Sequence, residues 1–495
     1  MDITEPYKQT HSLVSFSHGA QFILAAVQDR LIVRRADTFQ VARTWLVDNS
    51  PSATAAIMST HRRASSKSNP SNNPDASISH IGWSPDSEYL FAACAKMGVV
   101  NVFQLRDEEW DCRIEAGAEG LVKVEWAPDG RNLVCFSQWG LRVTIWSLVS
   151  GLATYIQFPK HPEKGYAFRK DGRYFILAER HKSKDTLGIY DAAEGYKLAR
   201  HFSLPSTSLS SISLSPSGMH VAVWEGPMEY KLHVLSLVGH LLKTFTPPEP
   251  DLAMGLGIRA VSWHPSGGFL AIGGWDDKIY ILSSTGWGVV VTFELTSRIP
   301  AGTKVWREPS GWVEATHGRG YLSYDSVGSG QYPLLHLSRL DPAKPHPKSG
   351  LAQLEWNVDG SLLLARFDQS PTTLHIFAFP TPSSPSKPRL RSILIHNQPV
   401  LQARWNPILQ TTLGACCGVD AVYTWDGVVG GGEIAECIGV PTKDFKVMDI
   451  RWSPDGRGMI LIDADAFCCA FFAAEEEEDR EELSVVHEES YEMEE

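Results

Sequence analysis

Histidines, cysteines and carboxylates are the side chains with which this 495-residue chain could bind a metal ion or transfer a proton. Its 17 histidines are scattered without the close spacing of metal ligands, and no His-Glu-x-x-His helix occurs. The sequence also lacks a Gly-x-Ser-x-Gly turn for a nucleophilic serine and a Gly-x-x-x-x-Gly-Lys loop for phosphate. Gly430–Gly432 lies between predicted strands and leads into no helix, so we interpret it as a turn. These patterns predict a non-catalytic protein without a metal or cofactor.

The cysteines indicate the cellular compartment. None of the eight forms a Cys-x-x-Cys pair, and the adjacent pairs Cys416-Cys417 and Cys468-Cys469 lie in apolar, strand-like runs. Buried free thiols are typical of a reducing compartment. The start of the chain, Met1–Glu5, lacks the basic and apolar regions of a secretory signal, and no apolar run reaches the roughly 18 residues of a membrane span. We therefore expect a cytoplasmic protein with no membrane partner.

The negative charge is concentrated at the C-terminal end. The formal net charge is −12, and segment Glu475–Glu495 alone contributes −11, from twelve acidic residues and one Arg, which leaves −1 for the rest. A nearly neutral body has no field that would favour nucleic acid, so no nucleic-acid partner is expected. We predict that 475–495 is a disordered acidic tail, and an electrostatic attraction for a basic partner is the alternative.

A short pattern recurs along the chain: a β-rich approach, an aromatic residue or Leu, and then a small polar–Pro–Asp–Gly type of turn. Its nine copies are centred on Phe16, Trp83, Trp126, Phe168, Leu214, Trp263, Trp356, Trp405 and Trp452. Apart from two longer steps, the spacing is 43, 42, 46, 49, 49 and 47 residues, the length of one β-propeller blade. The sequence predicts an all-β protein forming a single WD-repeat-type β-propeller of nine repeat units, with seven or eight blades as alternatives.

The strands of each blade can also be predicted. In the third repeat we expect strands at Val122–Trp126, Leu133–Phe136, Arg142–Trp146 and Ala153–Phe158, and the Trp or Phe before each turn should pack between blades. The ninth repeat provides only three strands before the acidic tail. Because a ring removes exposed edges by pairing the chain ends, we predict that Ile3–Thr10 completes the last blade.

Two insertions interrupt the period within the predicted propeller domain, residues 1–474. Residues 49–77 are dense in Ser, Asn, Pro and Ala, which is typical of a disordered surface loop. Residues 296–350 form an irregular insertion with predicted strands at Lys304–Arg307 and Leu334–Leu340. The second insertion is either a decorated loop or a degenerate tenth unit.

The repeats are of the WD type, although only Trp425-Asp426 shows the signature dipeptide at the end of a third strand. Several stretches resemble one WD-repeat family, found at centrosomes and fungal spindle pole bodies and named in animals for a gene antisense to a p53-related tumour suppressor. The matching stretches are Gly120–Val122, Trp126–Arg131, Leu141–Leu148, Asp171–Tyr174, Leu177–Arg180, Ala222–Trp224 and Glu229–Lys231. The resemblance covers residues 10–472 and is strongest between Ile81 and Phe293.

The resemblance implies a non-catalytic adaptor located in the cytoplasm and cytoskeleton, at the centrosome or spindle pole body. Its expected partner is a coiled-coil centrosomal protein of the synovial-sarcoma-X breakpoint-interacting type, with which the family anchors microtubule minus ends and supports spindle organisation. A minus-end-directed kinesin-14 is a further expected partner, and animal relatives also support cilium formation. The alternative is a translation-initiation-type propeller factor that binds the ribosome, which would require a basic face for RNA. A propeller enzyme is the third hypothesis and would require a polar pocket at the centre of the ring.

A binding surface can be predicted from the loops that follow the second strand of blades 3 to 6, because these loops share one side of a propeller. Their unusual residues are Trp139, Glu179, Arg180, Trp224, Glu225, Trp275, Asp276 and Asp277. Trp and Arg are enriched at interface hot spots, so we predict a continuous partner-binding patch. In the alternative interpretation each Trp folds over its own blade and the acidic residues brace turns.

Two short motifs match kinase sites. Ser384-Pro385-Ser386-Lys387 has the pattern of a cyclin-dependent kinase site, and Arg62-Arg63-Ala64-Ser65 that of a basophilic kinase. Phosphorylation of Ser384 or Ser65 would add a charge of about −1.5 to −2. Such matches are common by chance, so both remain hypotheses.

Overall fold

The computed structural model describes residues 1–48, 77–248, 256–316, 320–327, 334–337, 349–381, 387–429 and 432–472. Within these ranges the strands form nine sheets. Eight sheets contain four antiparallel strands in chain order, two of them with added strands, and the ninth combines the two ends of the chain. Each sheet is one propeller blade, numbered here from the N-terminus. The predicted all-β propeller with nine units is confirmed.

The strand bounds follow the repeat. The N-terminal segment forms β1 (Asp2–Ile3) and β2 (Tyr7–Lys8). Blades 1 to 3 contain β3 (Val14–Phe16), β4 (Phe22–Val27), β5 (Arg30–Arg35), β6 (Val41–Leu46); β7 (His80–Trp83), β8 (Tyr89–Cys94), β9 (Val99–Gln104), β10 (Asp111–Glu115); and β11 (Lys123–Trp126), β12 (Asn132–Phe136), β13 (Arg142–Ser147), β14 (Ala153–Gln157). Blades 4 to 6 contain β15 (Tyr166–Phe168), β16 (Tyr174–His181), β17 (Lys184–Asp191), β18 (Lys197–Ser203); β19 (Leu209–Leu214), β20 (His220–Glu225), β21 (Leu232–Ser236), β22 (Leu241–Phe245); and β23 (Ile258–Trp263), β24 (Phe269–Gly274), β25 (Lys278–Ser283), β26 (Val289–Glu294).

The insertion and the last three blades complete the ring. The insertion contains β27 (Lys304–Arg307), the short helix α1 (Trp312–Thr316), β28 (Tyr321–Ser323) and β29 (Asp325–Val327). Blades 7 to 9 contain β30 (Leu351–Trp356), β31 (Leu362–Phe367), β32 (Thr373–Ala378), β33 (Arg389–Ile395); β34 (Gln402–Trp405), β35 (Thr412–Cys416), β36 (Ala421–Val429), β37 (Gly432–Gly439); and β38 (Asp449–Trp452), β39 (Gly458–Ile462), β40 (Ala466–Phe471). Single 3₁₀ turns lie at Gly117–Glu119, Gln138–Gly140 and Ala192–Glu194. Among the described residues, no helix has the length and apolar character needed to cross a membrane.

The turn chemistry explains why the pattern recurs. In blade 2 the Ser84 Oγ accepts a hydrogen bond from the Tyr89 backbone N–H at 2.9 Å, and in blade 9 the Ser453 Oγ accepts one from Gly458 N–H at 2.9 Å. The glycine of the full motif has φ of 74° at Gly456, a left-handed conformation that a side chain would strain. The small polar residue therefore closes the turn, and Pro and Gly preset its backbone.

The hydrophobic core is divided among the blade interfaces. Nine clusters of buried side chains occur in the described ranges, and each joins two successive blades, from blades 1 and 2 through to blades 9 and 1. The cluster that closes the ring joins Val14 and Ile23 of blade 1 to Ile460 and Phe467 of blade 9. The chain therefore forms a single closed ring.

Each repeat tryptophan packs between blades, as predicted, and also makes a hydrogen bond that the sequence did not indicate. Its indole N–H donates to a backbone carbonyl on the first strand of the preceding blade: Trp83 to Ser15, Trp126 to Gly82, Trp263 to Ser213, Trp356 to Ser262, Trp405 to Glu355 and Trp452 to Arg404, at 2.9–3.4 Å. The accepting residue directly precedes the equivalent repeat position of its own blade. The same side chain therefore fills the interface and sets the register between blades.

The N-terminal segment completes blade 9, and this prediction is also confirmed. β1 pairs antiparallel with β40, placing Asp2 opposite Phe471 and Ile3 opposite Ala470, and β2 pairs further along the same strand. Between them, Thr4 N–H donates to the Cys469 carbonyl at 2.9 Å, and the Thr4 Oγ1 accepts from Cys469 N–H at 2.9 Å. The outer edge of the last blade is thus covered by the other end of the chain.

The described part of the 296–350 insertion lies along blades 7 and 8. The predicted strand Lys304–Arg307 is confirmed as β27, which runs parallel to β33 of blade 7, and β29 pairs with β27. β28 pairs with β37 of blade 8. Of the second predicted strand only 334–337 is described, where Leu334 forms an isolated bridge with Arg298. The insertion extends two existing blades and, within the described residues, adds no tenth sheet.

Replacing Trp405 with Phe should reveal the contribution of the indole hydrogen bond. The ring volume is largely kept, but the Glu355 carbonyl loses its donor in a buried interface, so we expect the free energy of unfolding to fall by about 1–3 kcal/mol. Chemical denaturation measures the change. Trp139→Phe is the matched control, since Trp139 is 91% exposed, and its effect should stay within about 0.5 kcal/mol. Equal stability of the two variants would show that the hydrogen bond contributes nothing.

Candidate partner-binding surface

The turns after the second strand of every blade lie on one face of the ring, because successive strands are antiparallel. The connections that lead from one blade into the next reach the same face. In blade 3 the turn is the 3₁₀ segment Gln138–Gly140, and in blade 4 it is the two residues between β16 and β17. All eight residues predicted to bind a partner lie in or beside such turns of blades 3 to 6.

Trp139 is the most exposed of the predicted residues. Its side chain is 91% exposed, and its backbone has φ 62° and ψ 14°. A left-handed conformation is rare for a bulky side chain and costs roughly 1–2 kcal/mol. The turn is held by Ser137, whose Oγ donates to the Arg142 carbonyl and accepts from the Arg142 N–H, both at 2.8 Å. A well-bonded turn therefore presents a large apolar ring to solvent.

Leu141 and Phe158 extend this apolar area, and neither was predicted. Each is 46% exposed. Phe158, like Trp139, has φ of 62°, and its N–H donates to the Leu141 carbonyl at 3.0 Å. The sequence contained a signal for both residues. Leu141 directly precedes β13 and Phe158 directly follows β14, and these strand ends lie on the face that carries Trp139.

Arg180 and His181 continue the surface into blade 4. The Arg180 N–H donates to the Phe158 carbonyl at 3.0 Å, and the Phe158 ring meets the His181 ring edge to face at a centroid distance of 5.4 Å. The Arg180 side chain is 44% exposed, with its Nε 3.9 Å from the buried Asp185 carboxylate. Leu141, Phe158, Arg180 and His181 are thus linked by backbone hydrogen bonds and a ring contact. Together with the exposed Trp139, two residues before Leu141, they are called here the blade 3–4 surface.

Glu179 lies beneath this surface and is only 2% exposed. Its carboxylate accepts a hydrogen bond from the Tyr190 hydroxyl, and its Oε2 lies 2.9 Å from Nε2 of His181. A direct contact between Glu179 and a large partner is incompatible with this burial.

Trp224 and Glu225 are internal residues of blade 5. Trp224 is 8% exposed and belongs to the core between blades 5 and 6. Glu225 is 2% exposed, and its carboxylate accepts from the N–H groups of Thr207 and Ser208 at 3.0 and 2.8 Å. It thereby braces the connection that enters blade 5. The prediction that these side chains lie on an accessible patch is wrong, because each satisfies a packing or hydrogen-bonding need inside the ring.

The acidic pair of blade 6 has a similar structural role. Asp276 accepts from the Tyr280 hydroxyl at 2.9 Å, and Asp277 accepts from the Gly350 N–H at 2.7 Å, which joins blade 6 to the start of blade 7. Burial raises the pKa of both carboxyls. Trp275 is half-buried under the Arg259 guanidinium, 4.3 Å from the ring centroid. These residues match the bracing alternative and are not contiguous with Trp139 through any described contact.

The comparisons with known proteins agree with this architecture. The WD domain, G-beta repeat profile matches residues 253–283. The mouse (Mus musculus) WD repeat-containing protein WRAP73 is 30% identical over 508 aligned residues, which cover 99% of this chain and 98% of that protein. The chain belongs to the WRAP73 family of WD-repeat proteins. The resemblance noted in the sequence is thereby confirmed.

Two further proteins are less similar to this WRAP73-family chain. An uncharacterized WD repeat-containing protein of Schizosaccharomyces pombe is 20% identical, over 82% of this chain and 84% of its own. Among solved structures, the C-terminal WD40 domain of Sif2 aligns over 89% of this chain and 98% of its own, with 9% identity and a TM-score of 0.47. WD-repeat propellers are in general non-catalytic interaction scaffolds, so membership of the WRAP73 family implies a scaffold for protein interactions.

Several predicted features of this WRAP73-family member lie outside the described residues. They are the acidic tail 475–495, residues 49–76 of the first insertion, and the hypothetical phosphorylation sites Ser65 and Ser384. Of the eight predicted binding residues, Trp139 and Arg180 belong to the blade 3–4 surface. Their binding role stays a prediction.

In this WRAP73-family protein, the buried bracing residue Glu225 and the exposed residue Trp139 should respond differently to substitution. Glu225→Ala removes the acceptor of two backbone N–H groups, so we expect the free energy of unfolding to fall by about 1–3 kcal/mol. Trp139→Asn should not lower the free energy of unfolding and should raise it by up to about 1 kcal/mol, because the residue is exposed and Asn tolerates the left-handed conformation better than Trp does. Chemical denaturation of both variants measures the difference. A larger loss for Trp139→Asn would mean that this tryptophan is a structural residue.

Proposed function

We propose that the chain is a non-catalytic scaffold at the centrosome or spindle pole body that binds a coiled-coil protein and so helps to anchor microtubule minus ends. The observation that carries the proposal is the exposure of two aromatic residues on one face of blade 3, Trp139 at 91% and Phe158 at 46%. Exposed apolar side chains that cluster mark interaction sites on soluble proteins. Full-length similarity to WRAP73 supports the same class of function.

The chemistry of the blade 3–4 surface fits a helical partner. Trp139, Leu141 and Phe158 offer three exposed apolar side chains, and amphipathic helices dock on apolar surfaces through their own apolar stripe. Arg180, whose N–H is bonded to Phe158, provides a cation suited to a carboxylate of the kind that flanks the apolar seam of a coiled coil. Trp and Arg are also the residue types most often found at binding hot spots.

The identity of the partner is proposed from the family resemblance. It is a coiled-coil centrosomal protein of the synovial-sarcoma-X breakpoint-interacting type, and a minus-end-directed kinesin-14 is proposed as a further partner. The proposed location is the cytoskeleton at the microtubule-organising centre. The translation-factor alternative is disfavoured because the chain without its acidic tail has a net charge of only −1.

The double variant Trp139→Asn/Phe158→Asn tests the blade 3–4 surface. It removes both rings while keeping residues that tolerate φ of about 60°, so the fold should persist and the affinity for the purified coiled-coil partner should fall at least ~10-fold. Val149→Asn/Leu152→Asn is the matched control. Those residues are 79% and 71% exposed at the turn between β13 and β14, on the opposite face of blade 3.

The affinity is measured by titration with each variant, after affinity capture has identified the bound proteins. Undiminished binding by the Trp139/Phe158 variant would remove this surface from the proposal. Recovery of ribosomal subunits in place of coiled-coil pole proteins would favour the translation alternative.

The acidic tail offers a separate test. Deleting 475–495 removes a net charge of −11, so the affinity for a basic segment of a motor should fall, and the loss should be larger at low salt than at high salt. Binding to the motor at two ionic strengths measures the effect. If the deletion changes neither the affinity nor its salt dependence, the tail is only a solvated extension.

A further inference from the structure

Three potential metal ligands converge on one face of blade 4. They are Glu179 and His181 on β16 and His201 on β18, and their ligand atoms lie within 4.8 Å of one another. The Glu179 Oε2 is 2.9 Å from Nε2 of His181 and 3.4 Å from Nε2 of His201. Ligands of a tetrahedral zinc ion with bonds of about 2.0–2.2 Å lie roughly 3.3–3.6 Å apart, so small movements would complete the site.

Strand pairing explains why these residues meet. Glu179 and His181 are two residues apart on β16 and therefore share a face, and His201 faces the same side across β17, opposite Gly188. The ligands thus come from strands of a packed sheet, whose positions are fixed by the ladder. The His181–Lys184 pair closes the hairpin with Lys182 and Ser183 at φ of 46° and 68°, which fixes the register of His181.

Gly188 makes room for the carboxylate. A Cβ at this position would collide with Oε1 of Glu179 and lie 2.7 Å from Cε2 of Tyr190, which no side chain could tolerate without a shift. The missing side chain lets the Tyr190 hydroxyl donate to the Glu179 Oε1. This hydrogen bond orients the carboxylate and leaves its Oε2 directed toward the two imidazoles, as second-shell groups do in metal sites.

The electrostatics and access also suit a cation. The Glu179 side chain is 3% exposed and has no lysine or arginine among its described ion-pair partners, whereas the two histidine side chains are 41% and 37% exposed. The nearby cation Lys160 is paired with Asp185, with a distance of 3.1 Å from Nζ to Oδ1. An ion can therefore approach from solvent and reach a carboxylate that is not already neutralised by a neighbouring lysine or arginine.

We propose that Glu179, His181 and His201 bind a divalent transition metal ion, with Zn²⁺ as the best match. Two imidazoles and one carboxylate favour zinc over calcium or magnesium, which prefer all-oxygen sites. Three protein ligands leave a fourth position open to water or to a side chain of a bound protein. Because His181 also contacts Phe158, the ion would fix the orientation of the histidine ring at the blade 3–4 surface. The site does not depend on the proposed function of that surface.

Zinc titration of the untagged, full-length chain tests the proposal. We expect one Zn²⁺ per chain in competition with a chromophoric chelator, and a zinc-dependent rise in melting temperature. Tyr190→Phe removes only the orienting hydroxyl and should weaken binding by about 10–100-fold. His201→Ala and Glu179→Gln each remove a ligand and should weaken it further. His240→Ala, an exposed histidine of blade 5, is the matched control and should bind zinc like the unaltered chain.

Co²⁺ substitution identifies the ligand type, since its visible absorption separates nitrogen and oxygen ligands from thiolates. A nitrogen and oxygen spectrum that His201→Ala abolishes supports the site. Failure of the unaltered chain to bind zinc stoichiometrically would overturn it, and so would a thiolate spectrum or equal affinity in His201→Ala. Melting temperatures of the metal-free variants establish that a loss of binding is not a loss of the fold.

Discussion

The structure depends on a repeated contact in which a tryptophan at the end of one blade's first strand donates its indole N–H to the first strand of the preceding blade. The contact combines two requirements. The indole ring fills an apolar interface between blades. Its N–H satisfies a carbonyl on the first strand of the preceding blade, which has no further strand of its own sheet on that side. Because each interface sets the position of the next, small errors would accumulate around the ring. The pairing of β1 and β2 with β40 removes this freedom by closing the last interface with both chain ends.

The interfaces without this tryptophan contact have polar substitutes. At blades 1, 4 and 5 the repeat positions are Phe16, Phe168 and Leu214, which have no side-chain donor. Between blades 9 and 1, the Arg451 guanidinium donates to the Val14 carbonyl at 2.6 Å. Between blades 3 and 4, the Lys123 ammonium donates to the Tyr166 hydroxyl at 2.6 Å. Between blades 4 and 5, the buried Asp185 accepts from Leu209 N–H at 2.8 Å. The blade 3–4 surface and the Glu179 cluster lie in this part of the ring. The buried polar braces Asp185 and Glu179 thus lie directly beneath the exposed side chains of Arg180 and His181.

The sequence predicted the elements whose signals are local. Each of the four strands predicted in the third repeat differs from the observed strand by one residue at one end, because the turn motif and the alternation of side chains mark the strand ends. The parallel pairing of β27 with β33 was not predictable, since it joins segments more than 80 residues apart with no turn between them. In the candidate surface, the exposure of Trp139 was predictable because it depends only on the turn that contains this residue. Glu225 looked equally accessible in the sequence. Its carboxylate is buried because it accepts from the N–H groups of Thr207 and Ser208, in the connection between blades 4 and 5, which come near only in the folded ring.

The insertion makes the outer surface of blades 7 and 8 different from that of blades 3 and 4. Its buried Glu308 accepts from the Trp312 indole and the Tyr423 hydroxyl, both at 2.8 Å, and from the Asn397 N–H at 2.6 Å. A buried carboxylate that lost these donors would be costly, so the insertion is held firmly against blades 7 and 8. β27 and β28 then cover outer strands that would otherwise be open edges. Blades 3 and 4 have no such cover among the described residues, and their exposed aromatic residues retain strained backbone conformations. The packed ring can maintain these conformations because hydrogen bonds from Ser137 and Phe158 to Arg142 and Leu141 fix the backbone around the exposed rings.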